Sequence, residues 1–306
     1  MNQKVIQENI MSSKTYLQKI NAVTDYIESN LDSSLSLEIL SNEAGMSKFH
    51  FHRIFSAFTG ETLYGFILRL RVEKAASLLI LNGKKNLTDI AFSCGFNDSA
   101  TFSRAFKKHF GISASNWKKA ENSKIHQDLI IKTDYSDITE MRNDNIHPVK
   151  TEFRIIPEMT IAYVRYTGKY KGDTDLFHSL YRRILSWAEP RGFAVKGMKQ
   201  VVIYHDSPEI TDESRLRISC GIIVPQGTKA SGIAGILTIP QNKYLVCRFK
   251  LKENEYTEAW SHVFRFSFQK IKCQPAEGSC FEIYSEGCFD EKNGLTEVEI
   301  CVPAVN

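Results

Sequence analysis

The chain has 306 residues, 42% of them apolar, which suits two globular domains with a core each. No run of about 18 apolar residues occurs, so a membrane-spanning helix is excluded. The net charge of +4 hides an asymmetry: residues 1–120 carry 15 Lys and Arg against 10 Asp and Glu, whereas residues 121–306 carry 24 against 25, pointing to a polyanion-binding module joined to a neutral one.

The opening MNQKVIQENIMSSKTY lacks the apolar core of a signal peptide, so a cytoplasmic location is expected. Residues 14–30 set Leu17, Ile20, Val23 (or Ala22) and Ile27 on one helical face. Ser36 precedes a short helix, LEILSNEAG, closed by Gly45. Ser47 can cap the next helix, which runs to about Thr59 and stops at Gly60. A longer helix spans Thr62 to Gly83. Thr88 caps a second short helix ending at Gly95, and Asn97 or Asp98 caps SATFSRAFKKHF, which ends at Gly111. Residues 121–150 are polar and aperiodic and read as a linker.

From residue 151 the pattern changes to strand–helix–strand–strand, and this order occurs twice. Two details match across the repeats: VVIY (201–204) answers FEIY (281–284), and IIVP (222–225) answers ICVP (300–303). The expected fold is therefore multidomain. An all-α double helix-turn-helix unit covers 1–120, a linker 121–150, and an α+β unit of duplicated β-α-β-β modules with antiparallel sheets covers 151–306. The seven cysteines (Cys94, Cys220, Cys247, Cys273, Cys280, Cys288, Cys301) are odd in number and form no CxxC pair. They are expected to be reduced, mostly buried thiols; a redox sensor or metal site is the alternative. Neither a metal nor a cofactor is expected.

A short helix, a glycine turn and a second helix form a device that holds its second helix out for the major groove. Gly45 and Gly95 supply the turn. Phe51, Phe55, Phe58 and Phe102, Phe106, Phe110 recur at helical spacing and are assigned to the core. The opposite faces then offer Lys48, Phe49, His52, Arg53 and Ser56, and Ser99, Ala100, Ser103, Arg104 and Lys107. Arginine reads guanine through paired bonds to O6 and N7; the alternative for each is an intradomain ion pair or a phosphate contact. Lys107, Lys108 and His109 suit backbone phosphates, which give affinity without sequence reading. A connecting helix of roughly 20 residues is about 30 Å long, close to the roughly 34 Å between successive major-groove faces. One chain could then read two adjacent turns, and its two unlike readers call for an asymmetric site.

The stretches LSLEILSNEAGMSKFHFHRIF and LTDIAFSCGFNDSATFSRAFKKHFGISASNWKK make residues 14–119 resemble the DNA-binding domain of the AraC/XylS family of bacterial transcription regulators. The resemblance implies base contacts at Phe49, His52, Arg53, Ser99, Ala100 and Arg104, with double-stranded DNA and RNA polymerase as partners. Ser41 stands where the family usually has Ala, and Ala114 and Trp117 replace its usual Pro and Tyr. Ala100 has no hydrogen-bonding side chain and could touch only a thymine methyl.

The duplication, with VIYHDSP, IIVP and CFEIY, makes residues 151–305 resemble the GyrI-like domain. That resemblance implies a small-molecule effector, hydrophobic and cationic, in a cleft between the repeats. Val202 is answered by Glu282, whose strand alternation sets it on one face with Tyr284. A buried carboxylate needs a cation or donors, and aromatic rings add attraction to a cation. Tyr163, Trp187, Tyr204, Trp260 and Phe264 are the candidate walls. The alternative is a solvated Glu282 among ordinary core aromatics. Two alternative functions are a hydrolase with Glu282 as general base and a ligand-free interaction module. No Ser–His–Asp arrangement and no nucleotide-binding glycine loop is evident, and His205 and Asp206 should point to opposite faces. The expected function is a regulator, not an enzyme.

Overall fold

The computed structural model describes residues 3–81, 85–120 and 146–306, and the chain divides into two compact units. The first is helical: α1 (Gln3–Ser29), α2 (Leu37–Glu43), α3 (Lys48–Thr59), α4 (Leu63–Leu81), α5 (Leu87–Ser93), α6 (Ser99–Phe110) and α7 (Ala114–Ala120). Side-chain oxygens start the helices. Ser36 accepts from the Ile39 N–H, Ser47 from His50, and Asp98 from Thr101. For α5 the cap is Asn86 rather than Thr88, which lies inside the first turn. Gly60 and Gly111 close α3 and α6 in the left-handed conformation.

Ile20, Val23 and Ile27 of α1 pack with Leu40, Phe51 and Phe55 and with the first half of α4. Ala22 points outward. The α4 helix is buried along its whole length, from Leu63 and Phe66 through Val72 to Leu79, because α1 to α3 use its first half and α5 to α7 its second. The phenylalanine stripes are inside at Phe51, Phe55, Phe102 and Phe106. Phe110 is half-buried against Trp117, and Phe58, in the last turn of α3, is 40% exposed, contrary to its assignment to the core.

Residues 121–145 of the expected linker lie outside the described residues, but residues 146–150 already belong to the second unit. Ile146 packs into its core, and Val149 donates its N–H to the Arg248 carbonyl. This unit holds β1 (Lys150–Ile156), β2 (Met159–Thr167), α8 (Thr174–Ala188), β3 (Gln200–Tyr204), β4 (Arg217–Val224), β5 (Gly235–Ile239) and β6 (Asn242–Leu251). It continues with α9 (Tyr256–His262), a π-helical turn (Val263–Ser267), α10 (Phe268–Ile271), β7 (Gln274–Pro275), β8 (Cys280–Tyr284), β9 (Phe289–Asp290) and β10 (Leu295–Val305).

The sheet is antiparallel throughout, in the order β1-β6-β10-β8-β3-β4-β2-β5, with β7 and β9 on β10. The order reads the same from both ends when the repeats are exchanged, so an approximate two-fold axis passes between β3 and β8. Only Pro157 and Glu158 join β1 to β2, which stand first and seventh in that order. Six strand spacings would set these strands about 29 Å apart if the sheet were flat. Three residue steps reach about 11 Å at most. The sheet must therefore curl. That is why one face needs no helix: Ile161, Tyr163, Val201 and Phe281 are buried in a cluster drawn entirely from strands. The other face is covered by α8 and by the α9–α10 segment. Among the described residues no helix is long and apolar enough to cross a membrane.

Candidate functional site

Two groups of residues carry chemistry, one in each unit. In the first, burial sorts the faces of α3 and α6. Lys48, Phe49, His52 and Arg53 are exposed on α3, as are Ser99, Ala100, Ser103, Arg104, Lys107, Lys108 and His109 on α6. Ser56 instead turns partly inward. Phe49 is 75% exposed, a high value for a large apolar ring, and the Arg53 guanidinium lies 5.7 Å over it. Lys48 reaches Glu38 on α2 at 3.2 Å. Arg104 donates to the Thr101 hydroxyl at 3.2 Å, and Thr101 donates to Asp98 at 2.8 Å. Hydrogen bonds from Thr101 hold the Asp98 carboxyl below its usual range, so it stays ionised at the start of α6. A groove of about 510 Å³ runs between the two helix pairs, lined by His52, Arg71, Asn97, Asp98 and Thr101 among others.

The turns hold these faces in place. Gly95 has φ +82°, and a Cβ there would stand 2.2 Å from the Leu31 carbonyl oxygen. The Arg71 side chain of α4 donates to that same carbonyl at 2.9 Å and to Ser33 O at 2.7 Å. Arg69, also on α4 and 5% exposed, donates to Glu61 before α4 and to Glu73 within it, while His109 at the end of α6 lies 3.5 Å from Glu73. Buried charges thus tie the ends of both exposed helices to one axis.

In the second unit the register sets Glu282 opposite Val202, on the two-fold axis itself. The same axis exchanges Tyr204 with Tyr284. Both phenols donate to one carboxylate oxygen, Oε2 of Glu282, at 2.9 and 2.7 Å. The Trp260 indole N–H of α9 donates to Oε1 at 2.6 Å. Glu282 is 1% exposed, and its partners among the described residues are these three neutral donors. Burial pushes its carboxyl above the ordinary value, and the bonds from Trp260, Tyr284 and Tyr204 partly oppose the rise. Burial, then the nearby Glu282 charge, pushes the Tyr204 and Tyr284 phenols well up, so they remain donors.

The structure does not bring all the expected walls together. Tyr163 points to the opposite, strand-lined face, where its ring covers Gly235 and carries Arg165 at 4.9 Å. Odd-numbered positions of β2 face that way, so strand alternation separates it from Glu282. Trp187 is a core residue of α8 itself, stacked on Phe193 and donating to Ser231, and Glu282 is not among its partners in the described residues. Phe264 stacks on Trp260 with ring centres 6.3 Å apart, but half of it faces outward. Three tyrosines were missed. Tyr170 packs 5.8 Å from Tyr204, Tyr181 lies 6.5 Å from Tyr284, and burial with the Glu282 charge pushes Tyr256 up to about 12. Their signal was the concentration of tyrosine in the second half of the chain. His205 and Asp206 do part company: His205 meets Ser219 and Arg165, and Asp206 pairs with Arg217. Among the described residues no group of three or more metal-ligating side chains forms.

A curled, duplicated sheet with a carboxylate on its axis defines a GyrI-like unit, and paired helix-turn-helix units on one central helix define an AraC-type module. Residues 40–120 match the model of a helix-turn-helix domain, and residues 149–305 match that of the GyrI-like small molecule binding domain. The chain belongs to the AraC/XylS family of DNA-binding transcription regulators and carries a GyrI-like domain. It is 39% identical over 100 residues to the transposon Tn10 TetD protein of Escherichia coli, covering 33% of this chain and 72% of that one. It is 33% identical to the Msm operon regulatory protein of Streptococcus mutans over 37% of this chain and 40% of that one. With the transcriptional regulator Rob of Salmonella typhimurium the identity is 36% over 31% and 32%. The chain thus spans less than half of the last two relatives. A solved AraC-type regulator from Chromobacterium violaceum aligns over 34% of this chain and 91% of its own, at 25% identity and a TM-score of 0.32.

Proposed function

We propose that this chain is a one-component regulator in which the GyrI-like unit binds a hydrophobic cation at Glu282 and the α3 and α6 faces read an asymmetric promoter site. The observation that carries the sensing half is Glu282 itself. A carboxylate 1% exposed, met by three neutral donors and no ion pair among the described residues, leaves a buried negative potential that a ligand cation relieves. The rings of Trp260, Tyr204 and Tyr284 add attraction to that cation. In the DNA half, Arg53 and Arg104 are the base readers, Phe49, His52, Ser99 and Ala100 line the same faces, and Lys48, Lys107 and Lys108 meet phosphates. Binding of the cation alters activity at a promoter served by RNA polymerase, in the cytoplasm.

A hydrolytic role for Glu282 is less favoured, because a general base needs a water in reach and the carboxylate is 1% exposed with three of its acceptor positions already taken. The test is thermal melting of the full chain with a panel of lipophilic aryl cations. A ligand at about 100 times its Kd should add about 2.7 kcal/mol of stability, and Glu282→Gln should remove the response. If no compound raises the melting temperature, the sensing half of the reading fails.

A further inference from the structure

Of the tyrosine hydroxyls around Glu282, those of Tyr204 and Tyr284 are spent on its carboxylate, and that of Tyr181 is buried without a partner among the described residues. The Tyr181 hydroxyl oxygen is buried yet makes no hydrogen bond among the described residues. The interior rarely leaves such a group unmet, and each case calls for a reason. Its position suggests one. Tyr181 stands edge-on to Tyr284, whose own hydroxyl binds Glu282, and the Glu282 charge is among the groups acting on the Tyr181 phenol. Burial pushes that phenol well above its ordinary value, so it keeps its proton and offers a donor.

A surface cleft of about 680 Å³ is lined by Lys169, Lys171, His178 and Glu253, among others. His178 lies three residues before Tyr181 on α8, hence on the same side of that helix. Tyr170 sits between Lys169 and Lys171 and packs against Tyr204. The cleft thus lies one helical turn from Tyr181 and next in sequence to Tyr170, while Tyr181 and Glu282 are not among its lining residues.

We propose that Tyr181 is a second polar contact of the effector site, and that the effector is an aryl cation that also carries a hydrogen-bond acceptor such as a carbonyl. This rests on the reading of Glu282 as a cation site. The cation is met by the carboxylate and the rings around it, and the acceptor takes the Tyr181 proton donor. A purely hydrocarbon cation would satisfy Glu282 and leave Tyr181 unmet. Selectivity for the acceptor follows from the general rule that a site built to hydrogen-bond a ligand rejects the analogue lacking that group.

The test uses the full chain and two permanently charged probes, benzyltrimethylammonium and phenacyltrimethylammonium, which differ by one carbonyl. Calorimetric titration of the wild type should give at least tenfold tighter binding of the phenacyl probe. In Tyr181→Phe that preference should vanish while the benzyl affinity stays within twofold. The unliganded Tyr181→Phe protein should melt no lower than wild type, since the change deletes an unmet hydroxyl. Equal affinities of the two probes in wild type, a preference that survives Tyr181→Phe, or a lower melting temperature of the free variant would each overturn the assignment. If the wild type binds the benzyl probe and Glu282→Gln does not, while the phenacyl probe gains nothing, the cation site stands and only the role of Tyr181 falls. If neither probe binds the wild type, both fall.

Discussion

At the scale of single residues, a shared face does not imply a shared task. Arg53 and Arg104 are held by local contacts, to the Phe49 ring and to the Thr101 hydroxyl, which fix where their guanidinium groups point. Lys108 is exposed, and no such tether holds it among the described residues. Arg53→Ala or Arg104→Ala should therefore cost about 1–3 kcal/mol on the cognate site and relax its specificity, whereas Lys108→Ala should weaken all DNA alike and flatten the salt dependence. Gel-shift titrations on cognate and random duplexes at two salt concentrations separate these outcomes. Equal losses on both duplexes for the arginine variants would remove them from base reading. In the other unit the sign of the Glu282 shift fixes a pH effect. Its carboxyl is raised in the folded protein, so protonation is favoured by the fold. The stability this group contributes is full below its unfolded pKa and is lost as pH rises through the folded value. A permanent cation binds the ionised form, so its affinity should rise with pH through that same value and then level off, with a proton released on binding below it. Calorimetry in buffers of different ionisation enthalpy measures that proton; an affinity that falls with rising pH would contradict the shift.

Among the elements, what could be read from sequence was what depends on neighbours along the chain. Gly60 and Gly111 as helix stops, Ser36 and Ser47 as caps, and the strand alternation at Glu282 and Tyr284 all follow from local stereochemistry, and the structure has them. The errors share a different origin. Tyr163 sits on β2 with good alternation, but which face carries the helices is a tertiary fact. The π-helical turn at Val263–Ser267 has no signature in the hydrophobic spacing of residues 256–272, yet it sets how Trp260 and Phe264 stack. Asn86 displaced Thr88 as the α5 cap because the helix begins two residues earlier than its apolar pattern. Gly95 was legible as a turn residue, but the reason only Gly serves was not: the carbonyl of Leu31, from far earlier in the chain, closes on it. Gly95→Ala meets both a left-handed φ and a 2.2 Å contact with backbone that cannot swing aside. It should destabilise the first unit by more than about 1 kcal/mol, read as a lower denaturation midpoint in urea. Gly111→Ala, with the same sign of φ and open space around it, should cost less. Equal costs would mean the close approach to Leu31 is not what the glycine is for.

For the whole molecule, the decisive property is that the two unlike faces proposed as DNA readers belong to one chain and are carried by one continuous helix. The α4 helix has 19 residues, so it spans about 28 Å. Its buried contacts continue from Leu63 to Leu79, and the Arg69–Glu61 and Arg69–Glu73 pairs, with His109 3.5 Å from Glu73, tie the loop after α3 to the end of α6. Breaking one partner of such a network leaves the other uncompensated, so the network resists rotation of one reading helix against the other. A dimeric regulator can adjust its half-site spacing through a flexible interface, whereas this module has none to adjust. Two consequences follow together. A single chain should protect two successive major grooves on one side of the duplex. Inserting two base pairs between the halves rotates the second by about 70° and should reduce affinity to that of one half-site alone. Hydroxyl-radical footprinting at protein concentrations where the chain is monomeric, on the native and the lengthened duplex, reads both. Protection of one groove only, or full affinity retained across the insertion, would show that α4 does not act as a fixed ruler and that the second reader is supplied in some other way.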